Sequence, residues 1–208
     1  MKKLLIFAIM ILCAGPSVMA QTTDSAGNEN WNYNRIFVGY DPTIFYPERG
    51  NTTSTEMFQG FHAGWMGGYN VTGKRLPLYV EPGLKLNVGL GELISDFDKY
   101  LAVEVPVNVA YRFHIGNKNI HISPYMGLHF KANVLGRDDD GNDYFDIDGT
   151  KRFQFGMQAG GHFDFNRFYV GLGWWMDFLP IMDNGIKTFW YDENVNTLGF
   201  FVNVGVVF

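Results

Sequence analysis

The chain has 208 residues, a formal net charge of -5 and 47% hydrophobic residues. It carries 25 Gly, 19 Phe, 11 Tyr and 5 Trp but only 18% charged residues. This balance excludes a mostly disordered chain and argues against a water-soluble helical protein. With a net acidic charge and no basic stripe, it also leaves nucleic acid without a matching surface.

Residues 1–20 read as a signal peptide. Lys2 and Lys3 form a positive start, Leu4 to Ala14 form an apolar run too short to span a bilayer as a helix, and Val18-Met19-Ala20 forms a cleavage site before Gln21. The single cysteine, Cys13, lies inside this segment and follows Leu12, where a lipoprotein would carry a small residue. Removing Lys2 and Lys3 leaves 14 basic against 21 acidic residues in a mature chain without cysteine. No later run of eighteen apolar residues follows, so the mature chain is either soluble or crosses a membrane as strands.

Residues 21–34 are polar and aperiodic, a flexible lead-in. Thereafter apolar and polar residues alternate with period two, which sends successive side chains to opposite faces of a strand. The pattern predicts strands at 35–46, 56–70, 78–90, 101–114, 120–134, 152–165, 167–178 and 197–208. In 101–114 the odd positions are Leu101, Val103, Val105, Val107, Val109, Tyr111 and Phe113, and the even ones include Glu104, Asn108, Arg112 and His114. Eight long strands are enough to cross a bilayer at a tilt and to close an antiparallel up-and-down barrel over 35–208. Short links at 70–76, 114–119 and 166–167 alternate with longer ones at 47–55, 91–99, 135–151 and 180–196. Short turns at one end and long external loops at the other fit an outer-membrane barrel. Pro82, Pro106 and Pro124 lie inside predicted strands, where bulges or bends are expected.

Three features turn the apolar face outward, to lipid. The face of 153–165 carries Phe153, Phe155, Phe163 and Phe165 at its ends and smaller groups between them; with Phe168 and Trp174 these form an aromatic girdle. Gly crowds the polar face, making room for Trp175, Tyr79 and Phe37 inside a narrow barrel. The chain ends on Phe208, in phase with Val202, Val204 and Val206.

The stretch YLAVEVPVNVAYRFHIGNKNIHISPYMGLHF (100–130) resembles the PorT-like family of small outer-membrane β-barrels, and the architecture is similar to OmpA- and OmpX-type eight-stranded barrels. The resemblance spans Arg35 to Phe208. It implies outer-membrane insertion in a Gram-negative envelope, with Phe208 as the signal read by the barrel-assembly machinery, and it implies no activity.

The polar face sets Arg35, Lys85, Arg112, Lys131, Arg152 and Arg167 against Asp41, Glu81, Glu104, Asp164 and Asp177. Antiparallel register is expected to bring Glu81 near Arg112 and Lys85 near Glu104. An ion-selective pore and a salt-bridged, filled interior both use such residues; the filled interior is favoured, because eight strands leave space only for packed side chains or one small ligand. His62, His129 and His162 point inward but on separate walls, which argues against a metal centre. His121 and Ser123 form the His-x-Ser pair of a lipid-modifying hydrolase, yet they share the inner face at the short-turn end, away from outer-leaflet lipid, which argues against an enzyme. The loop RDDDGNDYFDIDGT (137–150) places Asp138, Asp140 and Gly141 like a calcium loop, but Gly136 and Ile147 stand where terminal ligands belong, so a solvated acidic loop is the plainer reading. Phe189, Trp190 and Tyr191 fit equally a protein or glycan contact and a rest on the membrane interface. The expectation is therefore a monomeric, non-enzymatic barrel without cofactor or metal, in contact with outer-membrane lipid, acting in a structural or surface role. A narrow passive pore and a lipid-A-modifying enzyme are the alternatives. The exported protein should have an intact mass that begins at Gln21; a mass that retains Lys2 and Lys3 would remove the signal-peptide reading.

Overall fold

The computed structural model describes residues 32–47, 56–73, 76–90, 99–115, 120–137, 143, 145, 150–181 and 195–208. Eight strands form one closed antiparallel sheet. Strand β1 runs in two stretches, Tyr33–Tyr40 and Thr43–Pro47, and β2 likewise in Glu56–Phe58 and Gly60–Asn70. They are followed by β3 (Leu78–Leu90), β4 (Lys99–Tyr111, continued by Phe113–His114), β5 (Ile120–Arg137), β6 (Phe153–Phe165), β7 (Phe168–Asp177) and β8 (Val195–Val207). Each strand pairs with the next, and β8 returns to pair with β1. Phe208 completes the closure: its N–H donates to the Asn34 carbonyl at 3.0 Å and its carbonyl accepts from Asn34 N–H at 2.8 Å. Among the described residues, no helix is long and apolar enough to cross a membrane.

The register followed around the wall from Tyr33 passes through Gly68, across the gap beside Pro82 to Glu81, then through Asn108, Gly127, Gln158, Trp175 and Gly199, and arrives at Thr43. The sheet therefore closes with a stagger of ten residues. For eight strands that stagger corresponds to a tilt of roughly 40° and an interior just wide enough for side chains.

The bulges expected at the prolines do not occur. Pairing is interrupted beside Pro82 toward β2, beside Pro106 toward β3 and beside Pro124 toward β4, while each proline keeps its partner on the other side: Val107, His129 and Gly161. Register resumes unshifted beyond every gap. A proline lacks one donor, so the ladder loses bonds toward one neighbour only. Asp41-Pro42 is bridged in the same way, because Tyr40 and Thr43 keep one register against Val202 and Gly199. The wall slips once, between Leu101 and Ala102 of β4, where Val134 is the extra residue on β5. β1 also begins at Tyr33 rather than 35, because Tyr33 and Asn34 already pair with Gly68 and Gly67; the Tyr33 ring is buried inside, and Asn34 is covered on the outer face by Trp65, whose Nε1 donates to its Oδ1 at 3.2 Å.

The polarity of the sheet is inverted relative to a soluble protein. Val38, Phe61, Met126, Phe130, Phe153, Phe168, Leu172, Phe200 and Val204 are exposed, whereas Arg35, Glu81, Asn108, His129 and Asp164 are buried. Phe163, Phe165 and Trp174, expected in the girdle, are exposed on the same outer face, and Phe155 packs there between Phe130, at a tilt, and Phe178, edge-on. Asn166, at φ 54°, supplies the left-handed residue of the β6–β7 turn.

Inside, large rings lie on glycines of the adjacent strand. A Cβ at Gly199 would stand 2.7 Å from Trp175 Cε2, one at Gly64 would stand 2.8 Å from Phe37 Cζ, and one at Gly68 would overlap the Tyr33 ring. Substituting Gly199→Leu should therefore overpack the lumen and destabilise the barrel by about 1–3 kcal/mol. Urea unfolding of the refolded barrel, followed by Trp fluorescence, reads this; an unchanged midpoint would contradict the packing.

Candidate functional site

The site is the polar interior, built in three tiers along the barrel axis. At the short-turn end, Arg35 is wholly buried. Its Nη1 donates to Glu81 Oε1 at 2.7 Å and its Nη2 to Asp164 Oδ2 at 3.0 Å. Tyr33 O–H donates to the same Glu81 oxygen. Arg112 Nη2 adds a second contact to Asp164 Oδ2 at 3.2 Å. Aromatic faces cover both cations: the Arg35 guanidinium lies 4.5 Å from the Tyr33 ring and 5.0 Å from Tyr169, and Arg112 lies 4.2 Å from Tyr33. His162 Nε2 stands 3.2 Å from Glu81 Oε2 and its Nδ1 3.1 Å from the Tyr169 hydroxyl. Donation from Nε2–H to the carboxylate leaves Nδ1 to accept from Tyr169.

The middle tier is a plug. Phe37, Met66, Tyr125 and Phe201 are buried across the axis. Gln158 Nε2 donates to Asn108 Oδ1 at 2.6 Å, and His62 Nε2 meets Asn203 Oδ1 at 2.5 Å.

The long-loop end holds two linked clusters. In one, Lys85 Nζ meets Glu104 Oε1 at 3.0 Å, Asn87 Nδ2 donates to Glu104 Oε2 at 2.9 Å, and Trp175 Nε1 donates to Asp41 Oδ1 at 2.7 Å. Lys85 also lies 3.8 Å from Asp41 Oδ2. In the other, Asp177 faces His129 Nε2 at 2.6 Å and Lys131 Nζ at 3.1 Å, and accepts from Gln154 Nε2 at 2.8 Å and Thr197 Oγ1 at 2.5 Å. Lys131 Nζ sits 3.8 Å from the centre of the Trp175 ring. A cavity of ≈ 40 Å³ lies among these groups, with Asp41, Asn87, Lys131 and Thr197 on its walls and Ile181 beside them. Asn87 Oδ1, which has no hydrogen-bond partner among the described residues, belongs to this tier. The volume suits a few waters.

Most charges chosen from the sequence meet here: Asp41, Glu81, Lys85, Glu104, Lys131, Asp164 and Asp177 are buried, and Arg112 is nearly so. Lys85 and Glu104 are partners, but Glu81 and Arg112 are not. The register sets Glu81 opposite Asn108, Arg35 takes Glu81, and Arg112 reaches Asp164. Arg152 and Arg167 stand outside the buried network. Arg152 lies before β6 and pairs with Asp143 at 3.3 Å, and Arg167 is exposed in the β6–β7 turn. Sequence reasoning missed Tyr33, Gln154 and Thr197; Tyr33 was detectable, since it shares the phase of Arg35 and Phe37.

His162 serves the short-turn tier and His129 the long-loop tier, while His62 joins Asn203 of the plug to Asp41, whose Oδ2 lies 3.6 Å from His62 Nδ1. Among the described residues, no three His, Cys, Asp or Glu side chains converge as metal ligands. His121 is engaged by Arg112 Nη2 and by His114 Nδ1, both at 3.2 Å. Ser123 is buried and its hydroxyl has no hydrogen-bond partner among the described residues, so the His-x-Ser pair is not joined by a hydrogen bond. Asp143 Oδ1 accepts from the Phe145 N–H at 3.0 Å, closing a local turn. Asp138, Asp140, Gly141, Ile147, Phe189, Trp190, Tyr191, Ala20 and Gln21 lie outside the described residues.

Truncating Arg35→Met should cost about 3–5 kcal/mol, because Glu81 and Asp164 are left buried without their shared cation. Adding Glu81→Gln and Asp164→Asn should recover much of the loss in urea unfolding. A triple variant no better than the single one would mean that the charges are not coupled.

No family model matches the chain, and no curated protein matches it. The PorT-like resemblance thus stands on the short motifs of β4 and β5. Among solved structures the chain is similar to Ail, the attachment invasion locus protein of Yersinia pestis, at 12% identity and TM-score 0.45, over 85% of this chain and 99% of that one. The same protein in complex with the heparin analogue sucrose octasulfate gives 12% and 0.42 over the same shares. The N-terminal β-barrel domain of Pseudomonas aeruginosa OprF gives 11% and 0.38, over 83% of this chain and 97% of that one.

Proposed function

We propose that the protein is an integral barrel of a Gram-negative outer membrane, non-enzymatic, with a structural or surface role carried by its long-loop end. The observation that carries this reading is the inverted wall. Outward-facing apolar groups in water would cost roughly 25 cal/mol per Å², and hydrocarbon removes that cost. The ladder closes on itself, as any sheet in lipid must. Insertion through the assembly machinery, with Phe208 as signal, and a protein or glycan partner at the long-loop end belong to the same proposal.

The plug separates this reading from the passive pore. Phe37, Met66, Tyr125 and Phe201 stand between two tiers of paired charge, so a crossing ion would have to displace packed rings. The buried Ser123, with no hydrogen-bond partner among the described residues, gives no support to lipid-modifying chemistry. The mature chain should require detergent or lipid, migrate differently in SDS gels before and after boiling, and give no conductance steps above background in planar bilayers. Regular steps would favour the pore; a chain that stays dispersed in plain buffer would remove the outer-membrane reading.

A further inference from the structure

On the outer wall, the apolar stripe of β4 runs from Leu101 to Phe113, twelve residues apart, and at roughly 40° of tilt this spans about 30 Å. That matches the hydrocarbon thickness of a bilayer, about 30 Å. The next outward position at the long-loop end is Lys99, and its register partner on β5 is Arg137. Both are exposed. Among the strand residues whose side chains are described, these are the only charged groups on the outer face; Arg35, Asp41, Glu81, Lys85, Glu104, Lys131, Asp164 and Asp177 are all turned inward and buried. Two like charges set directly opposite each other on adjacent strands destabilise a sheet. The carboxylate bridged to Arg137 does not relieve them. Asp143 bridges to Arg137 through its backbone, but its side chain pairs with Arg152.

We propose that Lys99 and Arg137 together bind the phosphate of a phosphorylated lipid in the outer leaflet. This rests on the outer-membrane reading above, which puts the long-loop end outside the cell. The charge and the height of the pair both fit. A lipid phosphate lies just beyond the hydrocarbon, where Leu101 and Leu135 give way to the two cations. An Arg fork and a Lys ammonium facing one anion convert a repulsive pair into two charge-assisted contacts.

The test uses the folded mature barrel in zwitterionic detergent and native mass spectrometry. The probes are lipid A with its phosphates and the same lipid after phosphatase treatment. The wild-type barrel should retain the phosphorylated form about tenfold better, and the double variant Lys99→Gln with Arg137→Gln should lose that preference. Arg137→Glu supplies a second reading. It sets unlike charges face to face, so the thermal midpoint in lipid-free detergent should rise while retention of the phosphorylated lipid falls. A preference that survives the double variant overturns the proposal, as does complete displacement of the lipid by inorganic phosphate, which would make the site one for a free anion. A chain that never partitions into detergent overturns the outer-membrane reading and this proposal with it; retention that ignores the two cations overturns this proposal alone.

Discussion

The structure depends on one buried cation shared by two carboxylates. Arg35 reaches Glu81 on β3 and Asp164 on β6, so a single side chain on β1 ties together three separate parts of the wall. Taking these groups out of water is costly, and their mutual attraction offsets that cost only when every remaining donor and acceptor is met. Tyr33, His162, Tyr169 and Arg112 meet most of them. A hydrophobic core would fill the same volume with less risk, but here the hydrophobic residues are on the outside. The interior must then be held by polar groups that satisfy one another, and its order follows from that demand.

The same demand explains the packing. Eight strands at a stagger of ten enclose little more than side-chain volume. Each large ring therefore needs a bare neighbour: Trp175 lies over Gly199, Phe37 over Gly64, and Tyr33 over Gly68. Glycine is frequent in this sequence because the lumen is narrow. The rings also provide faces for the cations, as Trp175 does for Lys131 and Tyr33 does for Arg35 and Arg112.

Strand number, facing and most of the buried charges were legible in the sequence because period-two alternation is a local property. Lys85 and Glu104 were legible as a pair for a related reason: they are direct partners across neighbouring strands. Glu81 and Arg35 were not, because β1 and β3 are not adjacent and their contact crosses the lumen. Alternation also says nothing about whether a residue near a strand end stays inside, which is why Arg152 and Arg167 were grouped with the interior. The prolines misled in another way. A missing donor was expected to shift the register, whereas the wall carries the gap and keeps its alignment.

Those gaps divide the wall into two halves. Every interruption made by Pro82, Pro106 and Pro124 faces the preceding strand, so the β2–β3, β3–β4 and β4–β5 seams are each short of bonds, while the β6–β7 and β7–β8 seams pair without a break. Backbone amides in the first half thus have more ways to open toward solvent exchange than those in the second. The carboxy-terminal hairpins keep every rung of their ladders, so the missing backbone bonds of the wall are gathered on its amino-terminal side.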